Sequence, residues 1–144
     1  MFVGEYSHTI DDKSRLTIPA KLREKLGDEF MLTRGTDGCL FAYPMDAWEE
    51  FEEKLRELPG TGNNDARKFI RFFTAKAAVA EPDKQGRILI PSALREHAGL
   101  KKEVVLTGVL DRVEIWDVDK WNEYNDYDDL DDIATDLSEL GFNI

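Results

Sequence analysis

The sequence predicts an α+β fold made of two tandem β-β-α-β-β units. Three observations carry this: the chain repeats itself, a proline opens a short helix in each copy, and β-branched and aliphatic runs flank that helix. The stretch Asp11-Asp12-Lys13-Ser14-Arg15-Leu16-Thr17-Ile18-Pro19-Ala20-Lys21-Leu22-Arg23-Glu24 aligns without a gap with Asp83-Lys84-Gln85-Gly86-Arg87-Ile88-Leu89-Ile90-Pro91-Ser92-Ala93-Leu94-Arg95-Glu96. Identities fall on Asp11/Asp83, Arg15/Arg87, Ile18/Ile90, Pro19/Pro91, Leu22/Leu94, Arg23/Arg95, Glu24/Glu96 and Gly27/Gly99. Beyond it Leu32-Thr33 answers Leu106-Thr107, Asp37 answers Asp111, and Asp46-Ala47-Trp48 answers Asp119-Lys120-Trp121.

Each unit opens on an extended segment (Tyr6, His8 and Ile10; then Ala78 and Val79), followed by a charged turn. A short strand comes next, Leu16-Thr17-Ile18 or Ile88-Leu89-Ile90, whose side chains suit a pleated surface. Pro19 and Pro91 suit the first turn of a helix, where the missing N–H costs nothing. Ala20 to Leu26 and Ser92 to Ala98 then make about two helical turns each. Gly27 and Gly99 stand where helices stop. Two further strands close each unit: Phe30 to Thr33 with Leu40 to Tyr43, and Val104 to Thr107 with Val113 to Trp116. Turns with Gly35, Asp37 and Gly38, or Gly108 and Asp111, separate them. One such unit is too short to bury its own apolar face, whereas two packed together can cover both.

Between the units Asp46 is expected to cap a helix with Trp48, Phe51, Leu55 and Leu58 on one face, ended by Pro59-Gly60-Thr61-Gly62. Asn64 or Asp65 is expected to cap a second helix, with Phe69, Ile70, Phe73 and Ala77 on one side and Arg67, Lys68 and Arg71 on the other. After Trp121, acidic residues alternate with Leu130, Ile133, Leu137 and Leu140 at the spacing of an amphipathic acidic helix. The expected organisation is a first unit at 5–47, linking helices at 48–75, a second unit at 76–119 and an acidic tail at 120–144.

A net charge of −11 argues at first against a nucleic-acid partner, but its distribution removes the objection. Residues 111–144 hold 12 acidic and 2 basic side chains, while residues 1–110 hold 18 acidic and 17 basic. The body of the chain is therefore balanced and can focus positive charge locally, and local potential decides what a surface attracts. No apolar run approaches the length of a membrane span, and Met1 to Glu5 do not begin a secretory signal, so neither is expected. Cys39 is the only cysteine and can form neither an internal disulfide nor a metal cluster, which fits a reducing cytoplasm. The chain shows no HExxH, GxxxxGK[ST], GxSxG or CxxC pattern. It is expected not to be an enzyme, and no cofactor, metal or small-molecule effector is expected.

The doubled pattern Asp-x-x-x-Arg-[LI]-x-Ile-Pro-x-x-Leu-Arg resembles the AbrB/SpoVT type of DNA-binding module. Two copies in a chain of this length, separated by two helices, resemble the MraZ family of bacterial transcription regulators. The resemblance covers almost the whole chain. It implies that the two units interleave as a pseudo-dimeric, double-psi-like swapped-hairpin β-barrel, and that the chain forms a ring-shaped homo-oligomer. It further implies a sequence-specific regulator, a repressor, acting on the promoter of the division and cell-wall gene cluster in the cytoplasm, associated with the nucleoid. The partner implied is double-stranded promoter DNA with short repeats.

Carried over by residue, the motif places Asp11 and Arg15 in the first turn and Asp83 and Arg87 in the second, with Lys13 and Lys84 beside them. Arginine suits this work because its planar fork donates paired hydrogen bonds to phosphate or guanine, and lysine adds a mobile point charge. The plain alternative is an Asp–Arg ion pair that only shapes each turn, and the two readings are compatible. If a pseudo-twofold relates the units, the turns present one basic edge. The first turn has Ser14 where such modules often have glycine, which the second keeps as Gly86. Lys13 faces Gln85 in the alignment and Lys84 faces Asp12, so unequal contributions are expected. Arg23 and Arg95 read as local capping or pairing groups, and Lys21, Lys25, Arg67, Lys68 and Arg71 as solvated helix faces. Trp48, Trp121, Phe51 and Phe69 read as core or subunit contacts, and Cys39 as a small buried side chain. A reading of a different class is a protein-interaction module of antitoxin type, whose acidic tail, with Leu137, Leu140 and Phe142, docks on a partner protein.

Overall fold

The computed structural model describes the whole chain, Met1–Ile144. The order is β1(Glu5–Thr9), β2(Arg15–Thr17), α1(Ala20–Leu26), β3(Phe30–Arg34), β4(Leu40–Pro44), α2(Met45–Arg56), α3(Asn64–Thr74), β5(Ala78–Ala80), β6(Arg87–Leu89), α4(Ser92–Ala98), β7(Glu103–Val109), β8(Arg112–Asp117), α5(Val118–Tyr124) and α6(Leu130–Glu139). Both copies of the β-β-α-β-β order are therefore present. The second strand of each unit starts and ends one residue earlier than the apolar run suggests. Pro19 and Pro91 sit just outside their helices, with extended ψ values of 140° and 143°, rather than in the first turn. They leave their carbonyls free to accept from the Arg23 and Arg95 amides.

The strand pairing crosses between the repeats. One antiparallel sheet runs β1-β7-β8-β4-β3-β5, and a second, two-stranded ribbon pairs β2 with β6. Exchanging each strand for its repeat equivalent turns the sheet order into its own reverse, so the topology has a pseudo-twofold. The first strand of each unit lies against the third strand of the other: β1 on β7, and β5 on β3. In the ribbon Leu16 faces Ile88, its own repeat equivalent, which places the axis between them. The six-stranded sheet ends at β1 and β5, and no closed barrel is seen.

Alternation along the strands divides the interior in two. Leu40 and Ala42 of β4 point to the main core, with Leu16, Ile18, Leu22 and Leu26 of the first unit and Ile88, Ile90, Leu94 and Ala98 of the second. Phe41 and Tyr43 point the other way, into a second cluster with Trp48, Leu55, Phe73 and Trp116, onto which α2, α3 and α5 are laid. Trp48 is buried, and Phe51 and Trp121 pack against this cluster, as a structural role requires. Phe69 is not part of the core: it is 47% exposed at the surface of α3, which leaves the subunit-contact alternative for it. Asp46 lies in the first turn of α2 rather than at its cap, where its charge still complements the helix N-terminus. The cap of α3 is Asn63, whose side chain accepts the Ala66 amide at 3.0 Å, one residue before the expected position. Helix α6 forms in the acidic tail, but Leu130, Ile133, Leu137 and Leu140 all remain exposed.

Gly108 marks a close approach. The space a β-carbon would need there is filled by the Phe2–Val3 backbone, and the Gly108 amide donates to the Gly4 carbonyl at 2.8 Å. Gly108→Ala is expected to push the Met1–Gly4 segment off β7 and destabilise the fold by about 1–3 kcal/mol. A lowered thermal midpoint with faster amide exchange at Phe2 and Leu110 checks this. An unchanged midpoint would show that the segment can shift freely.

Candidate nucleic-acid interface

The ribbon β2–β6 sorts its side chains by period two. Leu16 and Ile88 point inward and are buried. Arg15, Thr17, Arg87 and Leu89 lie on the opposite, outward face. Arg15 pairs across the ribbon with Leu89, and Thr17 with Arg87, so the two arginines are diagonal neighbours on one surface. The turns Asp11–Ser14 and Asp83–Gly86 stand at opposite ends of the ribbon. Each is sewn to the other unit: the Ile90 amide donates to the Ser14 carbonyl at 2.9 Å, and the Ile18 amide to the Gly86 carbonyl at 2.8 Å. The expected basic edge is thus a strip along the ribbon, with a turn at each end.

Both turns have the same internal wiring. The Asp11 carboxylate accepts the Lys13 and Arg15 amides, each at 2.9 Å, and the Arg15 Nε–H at 2.7 Å. The Asp83 carboxylate accepts the Gln85 and Arg87 amides and the Arg87 Nε–H, each at 2.9 Å. Each arginine spends one donor on its aspartate and makes no other side-chain hydrogen bond within the chain. The remaining guanidinium N–H groups are held in a fixed fork, able to donate to phosphate oxygens or a guanine edge. The ion pair therefore orients the arginine while leaving its other donors unused. Lys13 and Lys84 are exposed and form no ion pair, Lys13 in the first turn and Lys84 in the second.

The position after the two central turn residues requires a left-handed backbone: Ser14 has φ +62° and Gly86 φ +77°. A serine there carries strain of about 1–2 kcal/mol that glycine avoids. The Ser14 hydroxyl offsets part of this by accepting from Arg95. On the other side Arg23 occupies the space a β-carbon would need at Gly86, and its Nη1 donates to the Ile18 carbonyl at 2.9 Å. Arg23 thus caps a local carbonyl, as expected, while Arg95 bonds not locally but to Ser14 of the other unit. Each reaches from its own helix to the turn of the other unit and adds positive charge beside the strip. Their place among the identities of the repeat was the available signal.

The two aspartates titrate below their ordinary value of 3.8, first because each accepts the backbone amide of its arginine. The sign follows from linkage. A depressed folded-state value contributes stability that is present above 3.8 and is lost as pH falls through the lower, folded-state value. Acidification below 3.8 is therefore expected to loosen both turns. Amide exchange at Arg15 and Arg87 should quicken there relative to D11N and D83N variants, whose exchange should lack this acid step. Equal acid response in the variants would remove the aspartates as its source.

Elsewhere no three His, Cys, Asp or Glu side chains come together in a way that could hold a metal. Cys39 is fully buried, and burial pushes its thiol well up, so it is a packing group. The His97 ring meets the Gly35 carbonyl at 3.0 Å and the Phe72 ring. No helix is long and apolar enough to cross a membrane.

The doubled turn on one ribbon has a family counterpart. The family model described as "MraZ protein, putative antitoxin-like" matches the chain twice, over residues 1–72 and 73–140. The chain belongs to the MraZ family. It is similar to proteins named Transcriptional regulator MraZ in several bacteria. The one from Clostridium beijerinckii is 54% identical over 142 residues, covering 98% of this chain and 99% of that protein. The one from Alkaliphilus metalliredigens is 54% identical over 143 residues, with the same coverage of both chains. The one from Moorella thermoacetica is 60% identical over 124 residues, 86% of each chain. The two MraZ matches divide the sequence within the last turn of α3, whereas the strands of this MraZ-family fold pair across that division.

Proposed function

We propose that this chain is a transcriptional regulator that binds double-stranded promoter DNA through its Asp-x-x-x-Arg turns. The observation that carries the reading is the placement of Arg15 and Arg87 on one outward ribbon face, each oriented by an aspartate and each with unused donors. Asp11, Lys13, Arg15, Asp83, Lys84 and Arg87 are the proposed binding residues, the arginines as donors, the lysines as phosphate charges and the aspartates as orienters. Membership of a family whose relatives are named transcriptional regulators supports the reading. The reciprocal strand exchange supports the swapped-hairpin description of the units.

The proposed biological action is repression of the division and cell-wall gene cluster, in the cytoplasm and on the nucleoid. One ribbon offers few contacts and binds weakly. A ring-shaped homo-oligomer presenting several ribbons engages short repeated promoter elements together and gains affinity by effective concentration. The test is binding of the full chain to DNA from upstream of its own gene over a salt series. Tight binding, with a preference over random DNA and a linear fall of log affinity with log salt, is expected. No preference over random DNA at low salt would overturn the proposal.

A second reading is favoured by one observation, the exposed stripe Leu130, Ile133 and Leu137 on α6. In that reading the acidic tail docks on a partner protein, as in an antitoxin. Removing residues 122–144 distinguishes them, because a regulator that reads DNA through the ribbon keeps its promoter preference without the tail.

A further inference from the structure

The outward ribbon face holds Arg15, Thr17, Arg87 and Leu89, two pairs of repeat equivalents. The arginines are the same in both units. Thr17 and Leu89 are not, and they break the pseudo-twofold at its centre. Alternation asks for a polar side chain on a strand face turned to water. Thr17 obeys; Leu89 does not, and it is 63% exposed. Leu89 belongs to neither apolar cluster. It stands directly across from Arg15, between two charged turns. A protein-docking patch needs a contiguous apolar surface of about 300 Å² or more, which a single leucine among guanidinium groups does not supply.

We infer that Leu89 is a specificity-determining residue that packs on a thymine methyl group beside the position engaged by Arg15. The inference rests on the DNA-binding reading above and deepens it. A two-stranded ribbon fits the major groove, where the C5-methyl of thymine is the one apolar group on any base edge. Side chains directly opposite across a ribbon have β-carbons about 5 Å apart, close to the rise of about 3.4 Å per base pair. Leu89 and Arg15 thus address the same or adjacent base pairs. At the equivalent place in the other half Thr17 stands beside Arg87, with a smaller methyl and a hydroxyl. The two halves of one ribbon then prefer different bases, and the recognised element is not a perfect inverted repeat.

The test compares promoter DNA containing thymine with the same fragment made with deoxyuridine, which pairs identically and lacks the methyl. Wild type, L89S and L89M are measured on both, with circular dichroism and thermal unfolding to confirm folding. Wild type and L89M are expected to bind the deoxyuridine fragment about 4-fold more weakly for each thymine methyl that the side chain covers. L89S, which carries no methyl, is expected to lose that part of the ratio and to keep its preference for promoter over random DNA. A wild type indifferent to the methyl groups, or an L89S that keeps the wild-type ratio, overturns the inference while leaving the DNA-binding reading intact. That reading fails separately, if wild type shows no preference for promoter over random DNA.

Discussion

Arg15→Ala and Arg87→Ala are each expected to weaken binding to promoter DNA by about 5- to 150-fold, the range for losing one well-placed bidentate pair of hydrogen bonds. Where an arginine meets a phosphate instead, the salt slope falls by about one charge. The turn itself should survive either change. The Asp11 carboxylate still accepts the amides of residues 13 and 15, and Asp83 those of residues 85 and 87, because these are backbone bonds. The weaker binding therefore reports missing guanidinium donors and not a collapsed loop, which circular dichroism would confirm. Fluorescence anisotropy over a salt series measures both quantities and ranks the two units. The flanking charges differ, Lys13 with Asp12 in one turn and Lys84 with Gln85 in the other, so unequal losses are expected. Unchanged affinity in both variants would confine the arginines to shaping the turns.

Leu16→Ala is expected to destabilise the fold by about 2–5 kcal/mol, as is Ile88→Ala, since each empties a fully enclosed site. Leu16 is 0% exposed and Ile88 1%, and they face each other on the pseudo-twofold. They share one cavity when both are cut back, so the double variant should depart from the sum by about 0.5–3 kcal/mol. Urea unfolding followed by two probes measures all three. One residue comes from each repeat, so each single variant should still unfold in one cooperative transition. Two separate transitions would show that the repeats hold together independently, against the strand exchange of β1 and β5.

Much of this was legible in the residues. The gapless repeat disclosed that one unit occurs twice. Pro19 and Pro91, with Gly27 and Gly99, bracketed the two short helices. The Asp-x-x-x-Arg spacing named the turns that carry the charge, and Leu130, Ile133, Leu137 and Leu140 announced a helix in the acidic tail. The departures are local and have local causes. The caps at Asn63 and Pro44 fall a residue or so from their expected places because several neighbouring residues can end a helix there. Phe69 shares the apolar spacing of α3 but is half-exposed, touching the buried Phe73 ring edge-on at 5.0 Å.

By itself, then, the sequence determined the element order, the repeat and the identity of the turn residues. These depend on side chains close together along the chain. Only the tertiary structure decided which strand lies beside which. Glu5–Thr9 pairs with Glu103–Thr107, about two-thirds of the chain away, through backbone groups that every residue carries alike. No side-chain pattern names such a partner. The consequences are equally invisible locally: Arg23 on the Gly86 turn, Arg95 on Ser14, and Leu89 set across from Arg15 on a single face. They follow from the exchange of strands, because only the packing of both apolar faces into one core brings the two halves into register.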